Sequence, residues 1–144
     1  MNKESTVPQL YSELSHPLDL PALAERCNLL TEILLDAQSL PQIQPVCRCL
    51  AAYLNVMQRQ LADSMNDFHV VEYNEDRARA KKGLFEDTET KCEYCRALNH
   101  VLLVSHFDGA MLPYLTGLLY DVAHAMGEDI IVPAKAQVRV HYPA

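Results

Sequence analysis

Tryptophan is absent from this chain, and its four glycines stand far apart, at positions 83, 109, 117 and 127. The first absence removes the largest aromatic platform a flat ligand can use. The second excludes a phosphate-cradling loop, whose clustered glycines let backbone N–H groups close on the anion. No run approaches the ~18 apolar residues that a membrane-spanning helix needs. A basic stripe is missing too: 12 Lys and Arg face 19 Asp and Glu, for a net charge of −7. A free-standing nucleic-acid binder ordinarily carries such a stripe, so no direct nucleic-acid partner is expected. The opening segment through Glu13 holds Pro8 and no apolar core of export-signal length. With five cysteines, an odd number, this reads as a cytoplasmic chain with reduced thiols rather than a disulfide framework.

What is present is helical periodicity. Leu20, Leu23, Cys27, Leu30, Leu34 and Ala37 step by three and four. So do Val46, Leu50, Tyr53, Met57, Leu61, Met65 and Phe68. Each set lies along one helix face that must be buried against something. The first pattern predicts a helix over 20–38, with Asp19 as N-cap and Pro21 in the first turn, where a missing N–H costs little. A turn is expected near 40–44, then a helix from Pro45 to Asn66. A third helix is expected to start after residue 87 or 88 and run to Ser105, burying Cys95, Leu98, Leu102 and Ser105. A fourth should run from Ala110 to Met126, with Asp108 as N-cap, Gly127 as terminator and Met111, Leu115, Leu118, Val122 and Met126 inward.

Between and beyond these lie weaker signals. Residues 1–17 read as a loose arm, because Pro8 and Pro17 disfavour helix at the residues before them; the alternative within it is a short helical turn over 9–14 that docks Leu10 and Leu14. Residues 68–73 are β-branched and aromatic, which suits a short strand. A charged helix over 75–82, closed by Gly83, has almost no apolar face. In the tail, Ala136, Val138, Val140 and Tyr142 alternate with polar residues, the pattern of a half-buried strand. The expected fold is therefore mainly α: a loose arm at 1–17, then one four-helix bundle-like domain at 18–144. A charged accessory helix and a small C-terminal β element complete it.

Candidate chemistry is sparse. Cys92-Glu-Tyr-Cys95 has the spacing that lets two thiolates reach one tetrahedral zinc, and His100 or His106 would complete a set for zinc or iron. A second CxxC is lacking, and Cys47 and Cys49 point to divergent sides of a helix, so a pair of small helical residues with no cofactor is the preferred reading. Glu13/His16 and Asp121/His124 carry a carboxylate and histidine at i, i+3, as di-iron bundles do, but the matching inward glutamates are missing. Ser105, His106 and Asp108 are sequence neighbours, which triad members are not.

The surplus apolar residues Leu29, Ile33, Leu35, Leu112, Leu119 and Tyr120 widen the helical stripes. They suggest either a thick core or a self-association face. The functional expectation is a small non-enzymatic regulatory or adaptor protein that binds another protein, as a homodimer. Its partner-facing candidates are Glu72, Glu75, Asp76, Arg77, Arg79, Lys81 and Lys82 in the charged segment, and Arg139 and Tyr142 in the tail. A metal-binding helical protein is the alternative, and an acidic inhibitor of a nucleic-acid enzyme a weaker one.

Overall fold

The computed structural model describes the backbone of residues 3–71 and 75–140 and the side chains of residues 6–64 and 86–133. Within them the chain forms α1 (Lys3–Glu13), α2 (Leu20–Leu35), α3 (Leu40–Val71), α4 (Glu75–Val104), a single 3-10 turn (Gly109–Met111) and α5 (Leu112–Val140). No strand occurs among the described residues.

α2 begins as its sequence dictates. The Asp19 carboxylate accepts from the Ala22 N–H at 3.0 Å, satisfying one of the four orphan donors of the first turn. Asp108 does the same for the 3-10 turn, accepting from Ala110 at 3.0 Å. Four helices then close a ring, α2 on α3, α3 on α4, α4 on α5 and α5 on α2, while α1 lies across α3 and α2. Neighbours run antiparallel. Cys92 Sγ lies 3.8 Å from the Leu54 carbonyl, and Asn99 Nδ2 donates to the Cys47 carbonyl at 2.9 Å, so ascending α4 descends α3. On the opposite side His124 Nε2 stands 3.5 Å from Glu32, and Gly127 lies against the Asn28 side chain.

The core is centred on α3, which packs against α1, α2 and α4. Ile43, Cys47, Cys49, Leu50, Tyr53, Leu54 and Met57 are all fully enclosed. Each large apolar side chain so buried contributes about 1.5–3 kcal/mol. Cys47 and Cys49, on divergent sides of α3, are both buried because α3 has neighbours on both sides. α2 buries Leu23, Cys27, Leu30 and Leu34 as its periodicity predicts, together with Ala24 and Thr31.

Several expectations fail, each for a physical reason. The arm at 1–17 is helical over Lys3–Glu13, because Val7 and Leu10 find an apolar floor to bury against. α3 starts at Leu40 and passes through Pro45 without a break. It continues to Val71, so residues 68–71 are helix and the expected strand has no place; residues 72 and 73 lie outside the described residues. α4 begins at Glu75 and runs through Gly83, since one glycine costs a helix only about 1 kcal/mol.

The C-terminal β element is not seen among the described residues either, and its last residue, Tyr142, lies outside them. α5 runs through Gly127 and Pro133 to Val140. An isolated strand is unstable without a partner, and its intended partner, residues 68–71, belongs to α3. Asp129 also holds this stretch of helix to α4, accepting from Lys91 at 2.6 Å and from Thr88 at 3.4 Å.

α5 is rotated by one residue from the expected face. It buries Leu112, Thr116, Leu119, Ala123 and Met126, leaves Leu115 and Val122 half-buried, and exposes Met111 and Leu118. The small residues Thr116, Ala123 and Gly127 all lie on the buried face, and the close approach to α2 is explicit at Gly127, where a Cβ would come within 2.9 Å of Asn28 Nδ2. On α4 the buried set is Thr88, Cys92, Cys95, Asn99 and Leu102, while Ser105 is exposed.

Candidate functional site

Five thiols on three helices are buried in the core. Cys27 of α2 has Cys49 of α3 and Cys92 and Cys95 of α4 as electrostatic neighbours, and burial pushes its thiol well above the ordinary range. Burial likewise raises Cys92 and Cys95 from 9.0 to about 12, Cys47 to about 12 and Cys49 to about 11. Thiolate is the form that attacks electrophiles and binds metal, and these surroundings oppose it. All five cysteines are free and buried. The histidines proposed to join them are elsewhere: His100 and His106 are exposed, on α4 and in the following loop. Among the described residues no group of three or more His, Cys, Asp or Glu side chains is placed to hold a metal ion.

The other carboxylate–histidine pairs have local partners. Glu13 Oε2 accepts from Arg26 Nε at 2.7 Å, which ties α1 to α2. His124 packs its ring on Tyr120, centroids 3.9 Å apart, with Nδ1 2.9 Å from the Tyr120 carbonyl.

The charged residues expected to face a partner are only partly placed. Glu75, Asp76, Arg77, Arg79, Lys81 and Lys82 sit on the first turns of α4, and Arg139 on the last turn of α5. Their side chains lie outside the described set, and Glu72 and Tyr142 lie outside the described residues altogether.

Two surface features emerge instead. The first is a row on the outer face of α5 and the turn before it: Met111, Tyr114 and Leu118, exposed by 47%, 72% and 51%. Their spacing, i, i+3, i+7, aligns them on one side of the helix. Leu35, Leu40 and Val104 are exposed as well, and the antiparallel topology brings the ends of α2, α3 and α4 that carry them to the end of the bundle where α5 starts. The second feature is an apolar groove between α2 and α3, in which α1 lies. Tyr53, fully buried, donates its hydroxyl to the Leu10 carbonyl at 2.5 Å across that groove, and burial pushes its phenol from 10.0 up to about 12.

Periodicity alone missed the α5 row because Met111 and Leu118 were assigned inward. The signal that pointed to it was the width of the apolar arc, which includes Leu112 and Leu119 on the neighbouring face. The surplus apolar residues divide between the two readings: Leu112 and Leu119 are buried, Ile33 and Tyr120 half-buried, and Leu29 and Leu35 exposed. No family model, curated protein or solved structure matches this chain.

Proposed function

We propose that this chain is a small non-enzymatic regulatory or adaptor protein, cytoplasmic, that acts through protein–protein binding and pairs with a second copy of itself through α5. The observation carrying the proposal is the row Met111, Tyr114 and Leu118, with Tyr114 72% exposed at its centre. An exposed aromatic flanked by aliphatic side chains is the composition that interface centres favour. The same row on two copies makes a self-complementary contact about a two-fold axis, the commonest closed solution. Five buried free thiols suit a reducing compartment. The non-enzymatic part of the reading rests on the lack of any catalytic signature in the sequence.

Light scattering on the wild-type chain and on Leu118→Asp tests this. The wild type is expected at dimer mass and the variant at monomer mass, with unchanged helical circular dichroism. A charge within the contact, next to Tyr114, should weaken pairing by about 10–100-fold. Pairing two chains of net charge −7 should also strengthen as salt screens their repulsion. A wild-type monomer at all concentrations would sink the proposal.

A further inference from the structure

α1 does not fill the groove in which it lies. Val7 and Leu10 are buried there and Leu14 partly so, yet space remains on both flanks. On one side, Pro8 and Tyr11 of α1 and Ile33, Pro41, Pro45 and Val46 opposite them line a cavity of about 930 Å³. On the other, Gln9 and Glu13 face Arg26 and Leu29 across a cavity of about 290 Å³. α1 is also a poor helix by itself. Pro8 lies inside it, removing a backbone hydrogen bond, and so short a helix is marginal in water without packing. Only residues 14–19, with Pro17 among them, join it to α2.

We infer that the groove between α2 and α3 is a receptor for an amphipathic helix of a second protein, and that α1 is an internal stand-in that keeps it closed. The stand-in defines the chemistry of the occupant. It presents apolar side chains at i, i+3 and i+7, as Val7, Leu10 and Leu14 do, and a carboxylate at i+6 that meets Arg26, as Glu13 does at 2.7 Å. The Tyr53 hydroxyl donates to the Leu10 carbonyl, one of the last-turn carbonyls of α1 that lack an intrahelical partner, so it suits a helix whose last turn falls in this register. An incoming helix with bulkier side chains than Pro8 would occupy the larger cavity, which α1 leaves open. This is helix-in-groove recognition, regulated because the apparent affinity of a partner falls with the fraction of time α1 is undocked. The inference does not depend on pairing through α5.

The test uses the full chain carrying Leu10→Asp, which turns a charge on α1 toward the apolar groove floor and ejects α1, with a fluorescent peptide of residues 1–16 as probe. The peptide is expected to bind this chain with micromolar affinity. It should bind the wild type at least about tenfold more weakly, because the tethered α1 competes at high effective concentration. A peptide that itself carries Leu10→Asp should bind neither. Equal binding to both chains, or none to a Leu10→Asp chain that still melts cooperatively, overturns the inference. Should that chain lose its fold, Val7→Ala with Glu13→Ala loosens α1 more gently, and affinity no better than wild type overturns it equally. If unlabelled wild-type chain forms a one-to-one complex with the Leu10→Asp chain by lending its own α1, the occupant is a second copy, and the assignment to a different protein fails. Repeating the titration in a Leu118→Asp background should give the same affinity, which separates this result from any failure of pairing.

Discussion

Tyr53, Met57 and Leu61 of α3 are enclosed by neighbouring helices, while Tyr114 and Leu118 of α5, similar residues at similar spacing, stand in solvent. The two helices differ in what surrounds them. α3 has α1, α2 and α4 around it; α5 has α2 and α4. A third neighbour lets α3 bury both Cys47 and Cys49, on opposite sides. With two neighbours and an apolar arc wider than they cover, α5 must leave part of that arc exposed. The face that carries Thr116, Ala123 and Gly127 is the one turned inward, and at Gly127 the missing side chain permits a close approach to Asn28 of α2. The exposed row follows from a close fit on the opposite face.

Cysteine sharpens the contrast. All five thiols lie on α2, α3 and α4, and α5 has none. In the folded chain Cys47, Cys92 and Cys95 titrate near 12 against an ordinary 9.0, because burial disfavours the thiolate. The folded state therefore holds these protons more tightly than the unfolded one. Their contribution to stability is whole below pH 9 and is lost as pH rises toward 12. Tyr53 acts in the same direction between 10.0 and about 12. Complete alkaline unfolding within this window is the largest effect expected, and urea midpoints measured at intervals from pH 8 upward will reveal it. A flat midpoint through pH 11 would mean that the thiols reach solvent without unfolding.

The direct comparison is between Leu50→Ala and Leu118→Ala. Leu50 is fully enclosed on α3, and truncating such a residue costs about 2–5 kcal/mol, part of it from the cavity left behind. Leu118, at 51% exposure, should cost within about 0.5 kcal/mol in the monomer. Chemical denaturation of both variants at low concentration gives the two numbers. Similar losses at the two sites would place Leu118 in the core and remove the basis for pairing through α5.

Helix existence was legible from the sequence wherever apolar residues kept the helical period. Leu23, Cys27, Leu30 and Leu34 on α2 and Leu50, Tyr53, Met57 and Leu61 on α3 are buried as their spacing predicts. Rotation was not legible on α5, because adjacent apolar faces fit the helical period equally well and the one turned inward is the face that carries the small residues. The tail misled for a different reason. An alternation seven residues long states a preference for strand, but a strand needs a partner, and partner availability is a property of the whole fold. The α1 groove left only a partial trace in the sequence: Leu10 and Leu14 were legible as a pair that a short helical turn could dock, but the floor they dock on comes from distant positions such as Val46 and Tyr53. The charged candidates from Glu75 to Lys82 are placed on α4 by backbone alone, so their part in binding stays a proposal for mutagenesis.

The smallest effect isolates the close approach that turns α5. Gly117 and Gly127 lie on the same helix, and both are helical glycines without positive φ. A Cβ at Gly117 meets nothing within 4 Å. Gly117→Ala should therefore stabilise by about 0.5–1 kcal/mol, through reduced freedom of the unfolded chain and better helix propensity. At Gly127 a Cβ falls 2.9 Å from Asn28 Nδ2 and 3.2 Å from its Oδ1. Asn28 Oδ1 is buried without a hydrogen-bond partner, so nothing fixes the amide firmly, and it can turn aside at modest cost. The propensity gain and the displacement should then roughly cancel, leaving Gly127→Ala within about 0.5 kcal/mol of wild type. Thermal melts of the two variants decide the matter. An equal gain at both sites would mean that α5 does not press on α2 at Gly127, and the rotation exposing Tyr114 and Leu118 would need another cause.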